Sequence, residues 1–196
     1  MPRYLSFFWK LAAFLVVAAL SMSAAQADGI TVGRAEIKAA DGGFRIIADF
    51  AINLNFVAEQ ALTHGVPIYF SSEFRLIHPR WYWLDEEVSH GDQASKLSYN
   101  ILTRQYRITR GALFQNFDSL EDALLVLGHQ VFAPIPAEQV KPAGNYVAAV
   151  RMSLDVTQLP KPLQVNALAT KDWDIDSGWH RWAVRPATAN AEGAQE

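Results

Sequence analysis

The chain has 196 residues, 51% of them hydrophobic, with 17 basic and 20 acidic residues, a formal net charge of −3 and no cysteine. The acidic balance excludes recognition of nucleic acid through the overall field, and the missing thiols exclude a disulfide scaffold, a thiolate metal site and a cysteine nucleophile. This length suits one domain whose core is large enough to stand without bridges.

The first element in chain order is a targeting segment. Arg3 and Lys10 precede an uncharged apolar run, Leu11 to Leu20, and the small polar stretch "SMSAAQA" follows. That order predicts a secretory signal peptide over residues 1–27, cut after the A-x-A pair Ala25 and Ala27, so that Asp28 becomes the N-terminus. Leu11 to Leu20 is half of the roughly 20 apolar residues that span hydrocarbon, and no later stretch is long and apolar enough, so no stable membrane span is expected after cleavage. A periplasmic location follows, and the lack of cysteine removes the acylation site of a lipoprotein. Without Arg3 and Lys10, fifteen basic residues face twenty acidic ones, a net charge of about −5. Residues 28–186 are expected to form a single globular domain, and the tail "ATANAEGAQE", residues 187–196, has no large apolar residue and is expected to be disordered.

Within the domain, "ITVGRAEIKA" and "FRIIADFAIN" flank Asp41-Gly42-Gly43, which predicts a hairpin over Ile30 to Asn53. A phase shift in the first strand predicts a bulge near Gly33. Phe56 to His64 is expected as a short helix ended by Gly65, and "VPIYFSSEFRLI" as the third strand, which "HPRWYWLDEEV" continues or pairs with. "KLSYNILTRQYRITRG" is expected as one long strand with a bend or bulge at Ile101-Leu102, where the parity switches. In "DSLEDALLVLGHQV" the pair Ser119 and Asp122 approximates a capping box, and Leu120, Ala123, Leu124 and Leu127 form one apolar stripe of a second helix. Tyr146 to Val156 is a further strand, Pro160 and Pro162 interrupt the chain, and "DWDIDSGWHRWAVR" closes the domain. The expected fold is α+β, mainly antiparallel β-sheet with two short helices, with a β-sandwich as the alternative.

Candidate chemistry is sparse. Trp81 and Trp83 share strand parity, which predicts core packing, with a stacking platform for a ligand as the alternative and Arg80 and Tyr82 on the opposite side. Asp85, Glu86 and Glu87 are adjacent, whereas an acid–base pair needs carboxyls that face each other, so a solvated loop is expected there. Arg104, Arg107 and Arg110, with Tyr106 among them, offer guanidinium forks for an anion or partner surface, or for cross-strand ion pairs with the Asp85 to Glu87 group. Asp172, Asp174 and Asp176 alternate as in a calcium loop, but Gly178 falls one place late and Ala183 stands where the bidentate glutamate belongs. An amphipathic strand carrying Trp173 and Ile175 is expected instead. The five histidines lack close ligand spacing, and no nucleotide-binding or nucleophile-elbow motif occurs, so no metal, cofactor or catalytic residue is expected.

The succession of "RWYWLDE", "LSYNILTRQYRITRG", "SLEDAL", "LPKPLQVNAL" and "KDWDIDSGWHRW" resembles the bacterial exported family known as domain of unknown function 4390, over about Ile30 to Val184. The resemblance implies a Gram-negative, exported protein, often encoded near two-component sensor kinases, and transfers no binding or catalytic residue. A non-catalytic binding or adaptor domain is the expected function, touching an envelope or sensor protein through Arg80, Trp81, Tyr82, Trp83, Arg104, Tyr106 and Arg107. A binder of a small lipid, glycan or peptide is the alternative.

Overall fold

A period-two alternation of apolar and polar residues builds most of the molecule, and it is clearest in β2 (Gly43–Asn53), where Phe44, Ile46, Ala48, Phe50 and Ile52 are buried and the intervening residues are not. The computed structural model describes residues 29–40, 42–80, 82, 84–141 and 144–185. The signal segment with Ala25, Ala27 and Asp28, the tail 187–196, and both Trp81 and Trp83 lie outside the described residues.

β1 (Gly29–Ala40) pairs antiparallel with β2, and the register slips between Val32 and Arg34, which is the bulge expected at Gly33. The far edge of β2 pairs with the short β7 (His129–Val131) and β8 (Ile135–Pro136), completing the first sheet. The second sheet has six antiparallel strands in the order β10-β9-β3-β4-β5-β6. They are β3 (Ile68–His78), β4 (Glu86–Asn100), β5 (Gln105–Arg110), β6 (Leu113–Phe117), β9 (Tyr146–Leu154) and β10 (His180–Val184).

The two sheets share one core. Phe74 of β3 meets Phe132 with ring centroids 5.1 Å apart, and the buried Ser72 hydroxyl donates to Gln130 Oε1 across the sheets at 3.1 Å. That bond matters because an unpaired buried hydroxyl or amide costs about 1–3 kcal/mol. The architecture is the expected α+β arrangement of antiparallel sheet, with three α-helices among the described residues rather than the expected two.

Helix α1 (Phe56–Thr63) starts at Asn55, whose Oδ1 accepts the Ala58 amide at 2.9 Å, and it ends before Gly65 at φ +85. Helix α2 (Leu120–Gly128) is capped as expected: Ser119 Oγ accepts the Asp122 amide at 3.1 Å. Its stripe divides, since Ala123 and Leu127 are fully buried while Leu120 and Leu124 are only half-buried. Helix α3 (Lys161–Ala169) takes "LQVNALA" and is a third helix that the sequence pattern did not predict; Pro162 sits in the first turn, where no amide is needed.

Three strand expectations need correction. "KLSYNILTRQYRITRG" is a hairpin, not one bent strand: residues 101–104 form a turn in which Asn100 Oδ1 accepts the amides of Leu102 and Thr103 and Arg104 takes a left-handed φ of 56. "HPRWYWLDEEV" neither continues nor pairs as a strand throughout, because β3 ends at His78 and β4 begins at Glu86, which leaves residues 79–85 as their connection. The segment around "DWDID" is not a regular strand either. Trp173 and Ile175 do turn inward, but the strand pairing with β9 is one isolated bridge, Ser153 to Asp176, before β10 begins at His180.

Candidate partner-binding groove

A concavity of about 630 Å³ runs between the end of β2 and the outer face of α2. Its floor is Phe50 to Leu54, and its walls come from Leu120, Glu121, Leu124 and Leu125 of α2 and Glu59 of α1. The register explains why the floor is open. On one side Thr31, Ile30 and Gly29 of β1 pair with Ala51, Ile52 and Asn53, whereas on the other side the β7 ladder stops at Asp49 opposite His129. From Ala51 to Asn53 the second main-chain edge of β2 has no strand partner among the described residues.

Helix α2 is held close to that edge by Gly128. A Cβ there would stand 2.0 Å from the carbonyl oxygen of Phe50, so only glycine lets the helix end lie on the strand. The side chains that α2 presents to the groove are then fixed by its 3.6-residue period: Leu127 and Ala123 go under, Leu120 and Leu124 line the wall, and Leu125 is 75% exposed at the lip. Arg110 secures the same helix from the opposite sheet, its Nη2 donating to the carbonyls of Val126 at 2.9 Å and Leu127 at 3.2 Å. Burial lowers the pKa of that guanidinium from its ordinary value.

The rim is acidic. Glu59 and Glu121 are both exposed, and Phe56 at the start of α1 is a 74%-exposed aromatic. Behind Glu59, the rings of Tyr99 and Tyr106 pack 4.8 Å apart, and the Tyr106 hydroxyl is pushed above its ordinary value by burial first and then by Tyr99 and Glu59. An unpaired strand edge, leucine walls and carboxylates at the rim together suit an extended apolar segment with basic residues, since main-chain bonds supply affinity and alternate side chains supply specificity.

The residues singled out in the sequence do not form one surface. Arg80 and Tyr82 belong to the β3–β4 connection, and Arg104 to the β4–β5 turn, at opposite ends of a 15-residue strand. Arg80 is turned on its own loop, its guanidinium on Glu86 and its amide on Asp85 Oδ1 at 3.3 Å, and that contact holds the Glu86 carboxyl below its ordinary value. Tyr82 is 66% exposed. Arg104 is exposed in its turn, and Arg107 lies over the Phe114 ring at 4.8 Å with its Nε donating to Asn116 at 2.8 Å. The ion pairs expected between these arginines and Asp85 to Glu87 are made instead by Arg80 and by Arg75, the latter 3.8 Å from Glu87. Among the described ones, Tyr106 feels the groove's rim through the charge of Glu59, which helps raise its hydroxyl pKa after burial and Tyr99.

Around the β3–β4 connection a second, smaller concavity of about 210 Å³ is lined by His78, Glu86, Val88, Lys141 and Tyr146, among others. Asp176 is paired with Arg151, whose Nε donates to both carboxylate oxygens at 3.0 and 3.1 Å, so the acid is held below its ordinary pKa as an ion-pair partner. Among the described residues no three histidine, aspartate or glutamate side chains gather as a metal site. No described helix is long and apolar enough to cross a membrane.

The groove escaped sequence reasoning because its residues are ordinary apolar ones from three separate segments. The only advance signal was the α2 stripe, which carries one leucine more than a single buried row needs. Residues 27–183 match the family model described as Domain of unknown function (DUF4390), and the chain belongs to that family. No curated protein and no solved structure matches the chain.

Proposed function

We propose that this family member is a non-catalytic, exported binding domain that holds an extended segment of an envelope or signalling protein in the groove between β2 and α2. The observation that carries the reading is the unpaired edge of β2 at Ala51 to Asn53, set beside half-buried leucines and open to solvent. A strand added there would continue the β7 side of the first sheet, and Glu59 and Glu121 favour a segment with lysine or arginine. The open trough supports a polypeptide guest over a small enclosed ligand. The basic start, apolar run and A-x-A pair at the N-terminus support export to the periplasm.

A photo-crosslinking residue at Leu125 tests the proposal in cells. The expected product is one partner, crosslinked through a single apolar and basic segment, and its yield should fall at least about tenfold when Glu59 and Glu121 are both changed to lysine, as a few kcal/mol of lost complementarity requires. Both glutamates are exposed, so the fold should tolerate the change. Products scattered over many proteins, or an unchanged yield from the double variant, would overturn it.

A further inference from the structure

The six-stranded sheet has a second unpaired edge, and its chemistry is different. β6, Leu113-Phe114-Gln115-Asn116-Phe117, pairs among the described residues with β5 on one side only, carries no charge, and leaves Leu113 78% and Phe114 64% exposed. Natural sheets guard such edges with charges, bulges or prolines. The other long edges here are guarded: β1 has Arg34, Glu36, Lys38 and the Gly33 bulge, and β10 has His180 and Arg181. β6 has none of these devices. A concavity of about 340 Å³ lined by Ile108, Arg110 and Val126 opens beside it and offers room for apolar side chains of an added strand.

From this edge we infer that β6 is an interface between two copies of the chain, joined antiparallel about a two-fold axis at Gln115. The sequence of the strand is self-complementary in that register. Leu113 falls opposite Phe117 of the second copy and Gln115 opposite Gln115, so on that face apolar pairs flank an amide pair, while on the other face Phe114 meets Asn116 and no like charges meet. The face bearing Phe114 and Asn116 is set in place beforehand by Arg107, which lies over the ring and bonds the amide, and this preorganisation lowers the cost of docking. The two β5 backbones that carry Arg107 would be separated by three strand spacings, about 14 Å. An interface built on five-residue strands is small, so association should be weak, with a dissociation constant of about 10 µM to 1 mM. This inference is independent of the groove at β2.

The chain has no cysteine, which makes the register directly testable. In the proposed dimer the Cα atoms of the two Gln115 residues stand about 4.5–5.5 Å apart, within disulfide reach, while the two Leu113 residues are four positions out of register and beyond it. Mild oxidation of the purified exported protein should therefore convert Gln115→Cys to a covalent dimer at least about tenfold faster than Leu113→Cys. Sedimentation velocity of the unmodified protein over about 10 to 500 µM should show rising mass, and Phe114→Lys should remain monomeric while melting like the parent. Equal crosslinking rates at the two positions, or a monomer throughout that range, would overturn the inference. Crosslinking of Gln115→Cys to a different envelope protein, with the purified chain staying monomeric, would equally overturn it in favour of a foreign strand.

Discussion

Arg110→Met removes a cation that fastens α2 to the second sheet while keeping most of the side chain's length. Arg110 donates through Nη2 to the carbonyls of Val126 at 2.9 Å, Leu127 at 3.2 Å and His129 at 3.3 Å, and through Nε to Ser95 Oγ at 3.2 Å. Val126 and Leu127 lie in the last turn of α2, where carbonyls have no partner four residues on and the helix dipole is negative. A hydrogen bond to a charged group contributes about 1.5–3 kcal/mol net, and a cation at a helix C-terminus about 0.3–1 kcal/mol. Against this stands the desolvation of the guanidinium, which the substitution relieves and which lowers its pKa in the folded protein. The balance is a loss of about 2 kcal/mol, or roughly 4–8 °C in melting temperature for a domain of this size. Urea unfolding of Arg110→Met and Arg110→Lys measures it, with lysine recovering part of the loss because it keeps the charge without the fork. An Arg110→Met protein within about 0.5 kcal/mol of the parent would show that α2 does not depend on this contact.

Three further outcomes follow from single contacts. Ser119→Ala should cost about 1 kcal/mol in chemical denaturation, because it leaves the Asp122 amide without its 3.1 Å acceptor. Leu127→Asp should prevent folding by placing a carboxylate at a position with no solvent exposure, whereas Leu124→Asp, at the groove wall, should fold and impair partner capture; circular dichroism and the Leu125 crosslink separate the two. Asp176 has a folded-state pKa below its unfolded one, chiefly through its bonds to Arg151, so its contribution is complete above about pH 4 and disappears as the pH falls through the folded value. Melting temperature measured from pH 5 down to 2 should fall less steeply in Asp176→Asn than in the parent.

Period-two patterning made the β1–β2 hairpin, β3 and β9 legible, since each has one face in the shared core and the alternation follows directly. The Ser119 cap was legible for the same local reason. The β4–β5 turn was not, because residues 101–104 contain no glycine or proline and Arg104 adopts a left-handed conformation that sequence patterns assign to glycine. Its one trace was the change of parity at Ile101-Leu102, which marks a reversal as readily as a bulge. "LQVNALA" hid as a helix because neither Val165 nor Leu168 is buried, so the apolar periodicity that announces a packed face is missing.

The same turn decides why the conspicuous residues did not make a site. Arg80 and Tyr82 precede β4 and Arg104 follows it, and fifteen residues at about 3.3 Å each place them roughly 50 Å apart along the strand. β5 returns only as far as Arg110, which sits near Ser95 at 3.2 Å, so the arginine strand never comes back to the tryptophan-rich loop. Rarity of residue type was therefore the wrong guide to proximity. What the fold does bring together is Leu54, Glu59 and Leu124, separated by up to seventy positions and individually unremarkable, because the β7 ladder ends at Asp49 and Gly128 lets α2 settle against the unpaired strand beyond it. A binding surface made this way depends on where a ladder stops, and that is set by pairing between distant segments, which no local spacing in the sequence records.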